Sequence, residues 1–119
     1  MIVNDEGAKQ RILTALSDEY SLQILTATAQ EPLSALEISR KYEIPITMIY
    51  RRVEELIDAG LVAVVKYGRT PDGKWYDLYR SLLVRVDVSF DGVDLRVDAE
   101  LNNHLADRFT RMWTSIPAN

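Results

Sequence analysis

The residues that could do chemistry in this chain are few, because the usual catalytic and metal-binding types are scarce. Cysteine is absent, and His104 is the only histidine among 119 residues. A thiolate zinc site and a cysteine nucleophile are therefore excluded, and no nucleophile is paired with a histidine base. No glycine-rich phosphate loop is present either. We expect no enzyme activity, no metal and no cofactor, and we expect His104 to be a surface or dimer-contact residue.

Four aspartates near the end of the chain, Asp87, Asp91, Asp94 and Asp98, resemble a carboxylate cluster. Carboxylates of this kind can bind Ca²⁺. These four, however, alternate with apolar residues on both sides of an Asp-Gly pair, which is the pattern of two strands with one face in solvent. We interpret them as a solvated sheet face rather than a metal site.

Basic residues are concentrated in the middle of the chain. The whole chain has a net charge of -4, which by itself argues against nucleic-acid binding. Residues 40–80 nevertheless hold eight basic and six acidic side chains, a net charge of +2, which leaves -6 for the two flanks. A molecule with this charge distribution could present one face to DNA.

The elements that position these basic residues are helices. Apolar residues at helical spacing predict two short helices before residue 31. Ser34 and Glu37 form a capping box that begins a third helix, and Pro45 begins a fourth helix that Gly60 closes. The very tight turn between the third and fourth helices is typical of a helix-turn-helix.

The second half of the chain is rich in β-forming residues. Residues 61–66 and 75–79 are predicted strands, and the polar loop between them contains Pro-Asp-Gly, so this hairpin would be a wing. Residues 82–90 and 93–98 predict a second hairpin, and helical spacing from Leu101 onward predicts an amphipathic terminal helix. The predicted fold class is α+β: a winged helix-turn-helix with an extra C-terminal β-hairpin and a terminal helix.

The length of the chain is sufficient for one hydrophobic core. We expect a single domain over residues 1–119, with a winged helix-turn-helix core over 8–80 and an added hairpin and C-terminal dimerisation helix over 81–119. No apolar run is long enough to span a membrane, and the first residues lack the pattern of a signal peptide. These features predict a cytoplasmic protein without a membrane partner.

Two segments carry a family resemblance, the Leu-Ser-Asp-Glu-Tyr-Ser-Leu-Gln-Ile-Leu of residues 16–25 and the Ala-Gly-Leu-Val of residues 59–62. Together with residues 37–39 and 53–56, they resemble the ArsR-type winged-helix regulators of bacteria and archaea. The resemblance extends from about residue 16 to residue 80 and implies a prokaryotic, dimeric regulator of transcription that binds double-stranded DNA. Metal-sensing members of that family use cysteine or histidine ligands that this chain lacks. Its tail, with the added hairpin, is similar to archaeal relatives.

The resemblance and the width of the DNA major groove assign contacts to the fourth helix, about residues 45–59, and to the wing, about residues 66–75. The expected DNA-binding residues are Ile46, Thr47, Met48, Tyr50, Arg51 and Arg52 on the helix and Lys66, Arg69 and Lys74 on the wing.

Alternative roles remain open for several of these side chains. Arg51 and Arg52 could instead be solvated and paired with glutamates of the same helix. We expect Trp75 and Tyr76 to pack the wing rather than to stack on bases. The inward stripe of the fourth helix is expected to be Ile49, Val53, Leu56 and Ile57.

The apolar stripe of the terminal helix is longer than a small core requires. We therefore expect a homodimer, which would place two recognition helices about one DNA turn apart, although the helix could also pack only on its own domain. The acidic net charge keeps a second function open, namely a winged-helix protein-interaction module of a larger assembly that does not bind DNA. No residue identifies a small-molecule effector. The expected dimer interface consists of Leu101, Leu105, Phe109, Met112, Trp113 and Ile116.

Overall fold

A computed structural model describes residues 1–102 of the chain. The predictions for His104 and for the terminal helix, with Leu105, Phe109, Met112, Trp113 and Ile116, lie outside the described residues. Four helices and two antiparallel hairpins follow one another along the chain, which confirms the predicted α+β winged helix-turn-helix class. The elements are α1 (Glu6–Leu16), α2 (Glu19–Gln30), α3 (Ala35–Tyr42), α4 (Ile46–Asp58), β1 (Val62–Arg69), β2 (Trp75–Ser81), β3 (Leu83–Phe90) and β4 (Leu95–Leu101).

The first three helices each begin at a side chain that accepts a hydrogen bond from the first turn. Asp5 caps α1 by accepting from the Ala8 backbone N–H at 2.7 Å. The predicted capping box of α3 is confirmed: Ser34 Oγ accepts from the Glu37 N–H and Glu37 Oε1 accepts from the Ser34 N–H, both at 3.1 Å. These contacts satisfy backbone donors that would otherwise lack a partner at the helix start.

The turn between α3 and α4 is short and fixed by its own hydrogen bonds. Glu43 ends α3 in the left-handed region, with φ 55°, so that the chain reverses direction at once. The Ile44 N–H donates to the Ser39 carbonyl at 3.1 Å, and the Ser39 hydroxyl donates to the Ile44 carbonyl. The Ile44 side chain is buried, and Pro45 then precedes the first turn of α4. The relative orientation of α3 and α4 is therefore set locally.

The inward stripe of α4 is narrower than the sequence predicts. Ile49, Val53 and Leu56 are buried as expected, and they join the core formed by the helices, the wing and β4. Ile57 is 37% exposed, so its prediction as a core residue is wrong. One residue corresponds to about 100° of rotation around a helix, which turns Ile57 away from the face that Leu56 shares with Ile49 and Val53.

The wing is an antiparallel hairpin that also pairs with the connection between α2 and α3. β1 and β2 pair from Val62 with Ser81 to Arg69 with Trp75, and a bulge lies between Val64 and Lys66. The strands are longer than predicted, which shortens the wing loop to residues 70–74. Leu33 exchanges two backbone hydrogen bonds with Tyr79, at 3.0 and 2.8 Å. This bridge fixes the wing against the helix-turn-helix.

The second hairpin pairs Phe90 with Leu95 at its tip. The expected two-residue turn is instead a four-residue loop, because Asp91 Oδ1 accepts hydrogen bonds from the backbone N–H groups of Val93 and Asp94, both at 2.8 Å. These two hydrogen bonds lower the pKa of Asp91. The loop is therefore held closed by a side chain rather than by the Asp-Gly pair alone.

At its other end, the second hairpin is joined to the start of the chain. Val3 N–H donates to the Val97 carbonyl, and Ala99 N–H donates to the Met1 carbonyl, both at 2.9 Å. Leu101, which was expected to begin the terminal helix, is instead the last residue of β4 and pairs with Leu83. Leu101 fits both the alternating pattern of a strand and the spacing of a helix. Its backbone pairing with Leu83 of β3 makes it part of the strand.

Candidate nucleic-acid interface

One face of α4 is exposed to solvent along the first half of the helix. Thr47, Tyr50 and Arg51 are exposed and have spacings of three and four residues, so they lie on the same side of the helix. Ile46, in the first turn, is at the edge of this exposed face with 36% of its surface accessible. Four of the six predicted contact residues of the helix are thus on or beside one surface.

Met48 and Arg52, the other two predicted contact residues of α4, are directed elsewhere. Met48 is partly buried and packs against the core. Arg52 Nε donates to Asp18 Oδ2 at 2.9 Å, and Arg52 Nη1 lies 3.6 Å from Glu55 Oε1. The Arg52 side chain is only 21% exposed. Its guanidinium therefore links α4 to the start of α2.

The contact between Arg52 and Asp18 was not predicted from the sequence. Burial alone would raise the pKa of Asp18, but hydrogen bonds from the Ser21 N–H, the Ser21 hydroxyl and Arg52 outweigh it and hold the pKa below its ordinary value. The two Ser21 bonds measure 2.8 and 2.9 Å. An aspartate at the N-cap of α2 was visible in the sequence, but a partner 34 residues away was not.

The wing presents its three predicted basic residues, Lys66, Arg69 and Lys74, to solvent. The wing loop is closed by Thr70, whose N–H donates to the Lys74 carbonyl at 2.8 Å. The Arg69 guanidinium lies over the Trp75 ring, 5.1 Å from its centroid, and Arg69 Nε donates to the Gly73 carbonyl at 3.3 Å. Arg69 is therefore held in place at the wing tip by an aromatic ring and a carbonyl.

The aromatic residues of β2 differ in how much of the wing they cover. Trp75 is 66% exposed, and its ring contacts Arg69 rather than the core. The Tyr76 ring lies directly against Gly68 of β1: a Cβ atom at Gly68 would be 2.1 Å from Tyr76 Cζ. Tyr76 therefore packs on the wing, as expected, whereas Trp75 leaves most of its surface accessible.

A cleft of about 540 Å³ separates α4 from the wing and is lined by residues of both. Ile46 and Tyr50 line it from the helix, and Thr70 and Trp75 line it from the wing. Ile46 and Tyr50 of α4 and Thr70 and Trp75 of the wing tip therefore border the same cleft, which the first residues of α3 also line. Burial, together with the neighbouring Asp77 carboxylate, raises the pKa of Tyr79 in this cleft to about 12, so Tyr79 is protonated at neutral pH.

Acidic side chains accompany the basic ones on this side of the molecule. Glu54 follows Arg51 on the exposed part of α4, and Asp72 lies in the wing loop. The surface is therefore of mixed charge, with Arg51 on the helix and three basic residues on the wing.

Within residues 1–102, no three His, Cys, Asp or Glu side chains are grouped so that they could hold a metal ion. The aspartates of the second hairpin have other partners: Asp87 Oδ2 is 3.0 Å from Arg85 Nε, and Asp98 Oδ1 accepts from the Met1 ammonium at 2.7 Å. In the same part of the chain, no helix has the length and apolar character needed to cross a bilayer.

Part of the chain matches a known family. A family model described as a helix-turn-helix domain matches residues 16–65, which extend from the end of α1 through the first half of β1. A search of curated proteins finds no match to the chain. The matched segment contains α2, α3, the tight turn and α4, the same elements that carry the exposed face described above. The observed fold and this match together support a helix-turn-helix regulator, a class whose members bind DNA.

Proposed function

We propose that this chain is a sequence-specific regulator of transcription, of the ArsR type and without enzyme activity, that binds double-stranded DNA as a homodimer in the prokaryotic cytoplasm. The observation that carries the proposal is the single cleft bordered by Ile46 and Tyr50 of α4 and by Thr70 and Trp75 of the wing tip. An α-helix fits the major groove, and a wing beside it reaches the flanking backbone.

On α4, Arg51 is the principal contact residue in this proposal. Its guanidinium can donate two parallel hydrogen bonds to guanine or to a phosphate. The Thr47 hydroxyl can bond a base edge or a phosphate, and Ile46 can contact a thymine methyl group. Arg52 and Met48 have a positioning role, since one is paired with Asp18 and the other packs against the core.

On the wing, Lys66 and Lys74 contact phosphates on either side of the major-groove site in this proposal. Arg69 is the wing residue best suited to a narrow minor groove, because its stacking on Trp75 limits the freedom that it would lose on binding.

The test is fluorescence anisotropy with labelled duplexes, including DNA upstream of the chain's own gene, over a salt series from about 50 to 200 mM. We expect affinity to fall steeply with salt and one duplex to be preferred. Arg51→Ala should weaken binding to that duplex by about 1–3 kcal/mol, roughly 5- to 150-fold. Arg11→Ala is the matched control, because Arg11 is an exposed arginine of α1, outside the exposed face of α4 and the wing.

Equal binding by the Arg51→Ala and Arg11→Ala variants would contradict the assignment of Arg51. Absence of binding to every duplex at the lowest salt would contradict the function itself.

A protein-interaction module without DNA binding is the second candidate function. The observation in its favour is the acidic net charge of -4 together with Glu54 beside Arg51 on the exposed part of α4. It predicts no duplex binding at low salt and a partner protein that co-purifies with the chain.

A further inference from the structure

The outer edge of β3 is unpaired among the described residues. β3 pairs with β4 on one side, and β4 pairs with the first residues of the chain on its other side. Within residues 1–102, no strand pairs with the remaining edge of β3, which runs from Leu83 to Phe90. Such an edge presents free backbone N–H and C=O groups and is a template for another strand.

The side chains of β3 divide this strand into an apolar and a polar face. Val86, Val88 and Phe90 pair with the apolar residues of β4, whereas Arg85 and Asp87 pair with Glu100 and Asp98. The apolar face is not fully covered, since Val88 is 46% and Phe90 is 68% exposed. The strand contains neither lysine nor proline, and its one irregularity in the pairing with β4 is a bulge between Leu83 and Arg85, before the apolar residues 86–90.

We propose that a second copy of this chain pairs with the outer edge of β3, antiparallel to it, about a two-fold axis at Val86. Residues opposite each other in an antiparallel pair share a face, so the axis must lie at a residue if the two apolar faces are to remain on one side.

The charges of β3 distinguish between axes at residues 85, 86 and 87. An axis at Arg85 places Arg85 opposite the same arginine of the second copy, and an axis at Asp87 likewise places two aspartates together. Like charges directly opposite each other destabilise a strand pair. An axis at Val86 places Arg85 opposite Asp87 of the second copy, and the symmetry makes this contact twice. Strand β3 is therefore complementary to itself in this register.

Both charged side chains are accessible for such contacts. The Arg85 side chain is 68% exposed and the Asp87 side chain is 57% exposed, although they already contact each other within one copy at 3.0 Å. Pairing would join the second hairpin of one copy to the second hairpin of the other in one continuous sheet. The inference rests on the proposed function only for the homodimer, and it does not depend on DNA binding.

The first test uses disulfide formation, and the absence of cysteine makes single-cysteine variants unambiguous. In the proposed register the two Val86 residues face each other, so Val86→Cys should form a disulfide-linked dimer under mild oxidation. Val88→Cys is the matched control. Each Val88 would face residue 84 of the other copy, which leaves the two cysteines about 13 Å apart, beyond the roughly 7 Å limit between Cα atoms of a disulfide.

The second test exchanges the charges and measures the dimer by light scattering and sedimentation. Arg85→Asp and Asp87→Arg should each weaken the dimer roughly 10- to 30-fold, since each places like charges opposite each other twice. The double exchange, R85D/D87R, should restore the dimer. Arg96→Asp is the control. Arg96 lies on β4, where it pairs with Ser89 of β3, and it does not face the second copy.

Two results would overturn the proposal: a wild-type protein that is monomeric at about 100 µM, or a dimer that Arg85→Asp leaves unchanged and that Val86→Cys does not cross-link. The first would mean that the edge of β3 does not bind a second copy, and the second that the dimer forms elsewhere. A β3-paired dimer that binds no duplex would contradict the proposed DNA binding alone.

Discussion

Replacing Arg52 by methionine would test whether this residue stabilises the fold rather than contacting DNA. Methionine keeps an unbranched stem and a similar helix propensity, so the main loss is the bond from Arg52 Nε to Asp18 Oδ2 at 2.9 Å. Charged hydrogen bonds contribute about 1.5–3 kcal/mol when shielded, and exposed ion pairs about 0–1 kcal/mol. These two side chains are 21% and 27% exposed, which favours an intermediate value. We expect a loss of about 1–2 kcal/mol and a Tm lower by about 4–8 °C.

A double-mutant cycle separates the pair from other effects of the substitution. Asp18→Asn keeps an N-cap acceptor for Ser21 and removes only the charge. We expect a coupling free energy of about 0.5–1.5 kcal/mol between positions 18 and 52, measured by urea unfolding. Arg51→Met is the matched control, because Arg51 is the neighbouring arginine and is exposed. It should change the free energy of unfolding by less than about 0.5 kcal/mol.

The pair should also give a pH-dependent contribution of known sign. The pKa of Asp18 is lowered in the folded state, so at acid pH the unfolded chain binds the proton more readily. The stability from Asp18 is therefore complete above the ordinary carboxyl pKa and is lost as the pH falls through the folded-state pKa. The difference in stability between wild type and Arg52→Met should narrow toward acid pH. A coupling near zero, a difference independent of pH, or an equal loss in Arg51→Met would refute the reasoning.

Two further substitutions test local features of the fold. Ser34→Ala removes the side-chain acceptor of the capping box and should lower the free energy of unfolding by about 1 kcal/mol in urea titrations, and no change would show that Glu37 alone suffices to begin α3. Gly68→Ala should force the Tyr76 ring away from β1 at a cost of about 1–2 kcal/mol. The same change made together with Tyr76→Ala should cost little, and equal costs in both backgrounds would place the strain elsewhere.

Local signals in the sequence predicted much of the helix-turn-helix correctly. Ser34 and Glu37 are three residues apart and bond to each other, so their capping box depends on no distant residue. Pro45 marks the start of α4, because proline is favoured where a helix begins. Ile49, Val53 and Leu56 form a stripe because the helical period alone places them on one side. These features are decided within one or two turns of helix.

Contacts between residues far apart in the sequence could not be predicted from local sequence patterns. Arg52 was expected on the DNA-facing side or paired within its own helix, and its main partner Asp18 is 34 residues away. Ile57 fits the helical pattern, yet it lies about 100° around the helix from Leu56 and is 37% exposed. Leu101 fits a helical pattern too, but pairing with Leu83 makes it the end of a strand. The period of apolar residues indicates which side chains can be buried. The elements that pack against a helix or pair with a strand determine which of them are buried.

The small number of basic residues in the proposed interface indicates why DNA binding would require a dimer. Among residues 1–102, the proposed interface of one copy has four exposed basic side chains, Arg51, Lys66, Arg69 and Lys74, with Glu54 beside the first. Each neutralised phosphate contributes about -0.9 to the logarithmic salt slope, so one copy reaches at most about -3.6 and two copies about -7. In a chain with net charge -4, a single copy would hold DNA weakly. In the proposed dimer, two copies would bind as one unit, because the second contact is then intramolecular. Under both proposals, the logarithmic salt slope of wild-type binding should be steeper than that of a monomeric β3 variant, and fluorescence anisotropy would measure the difference.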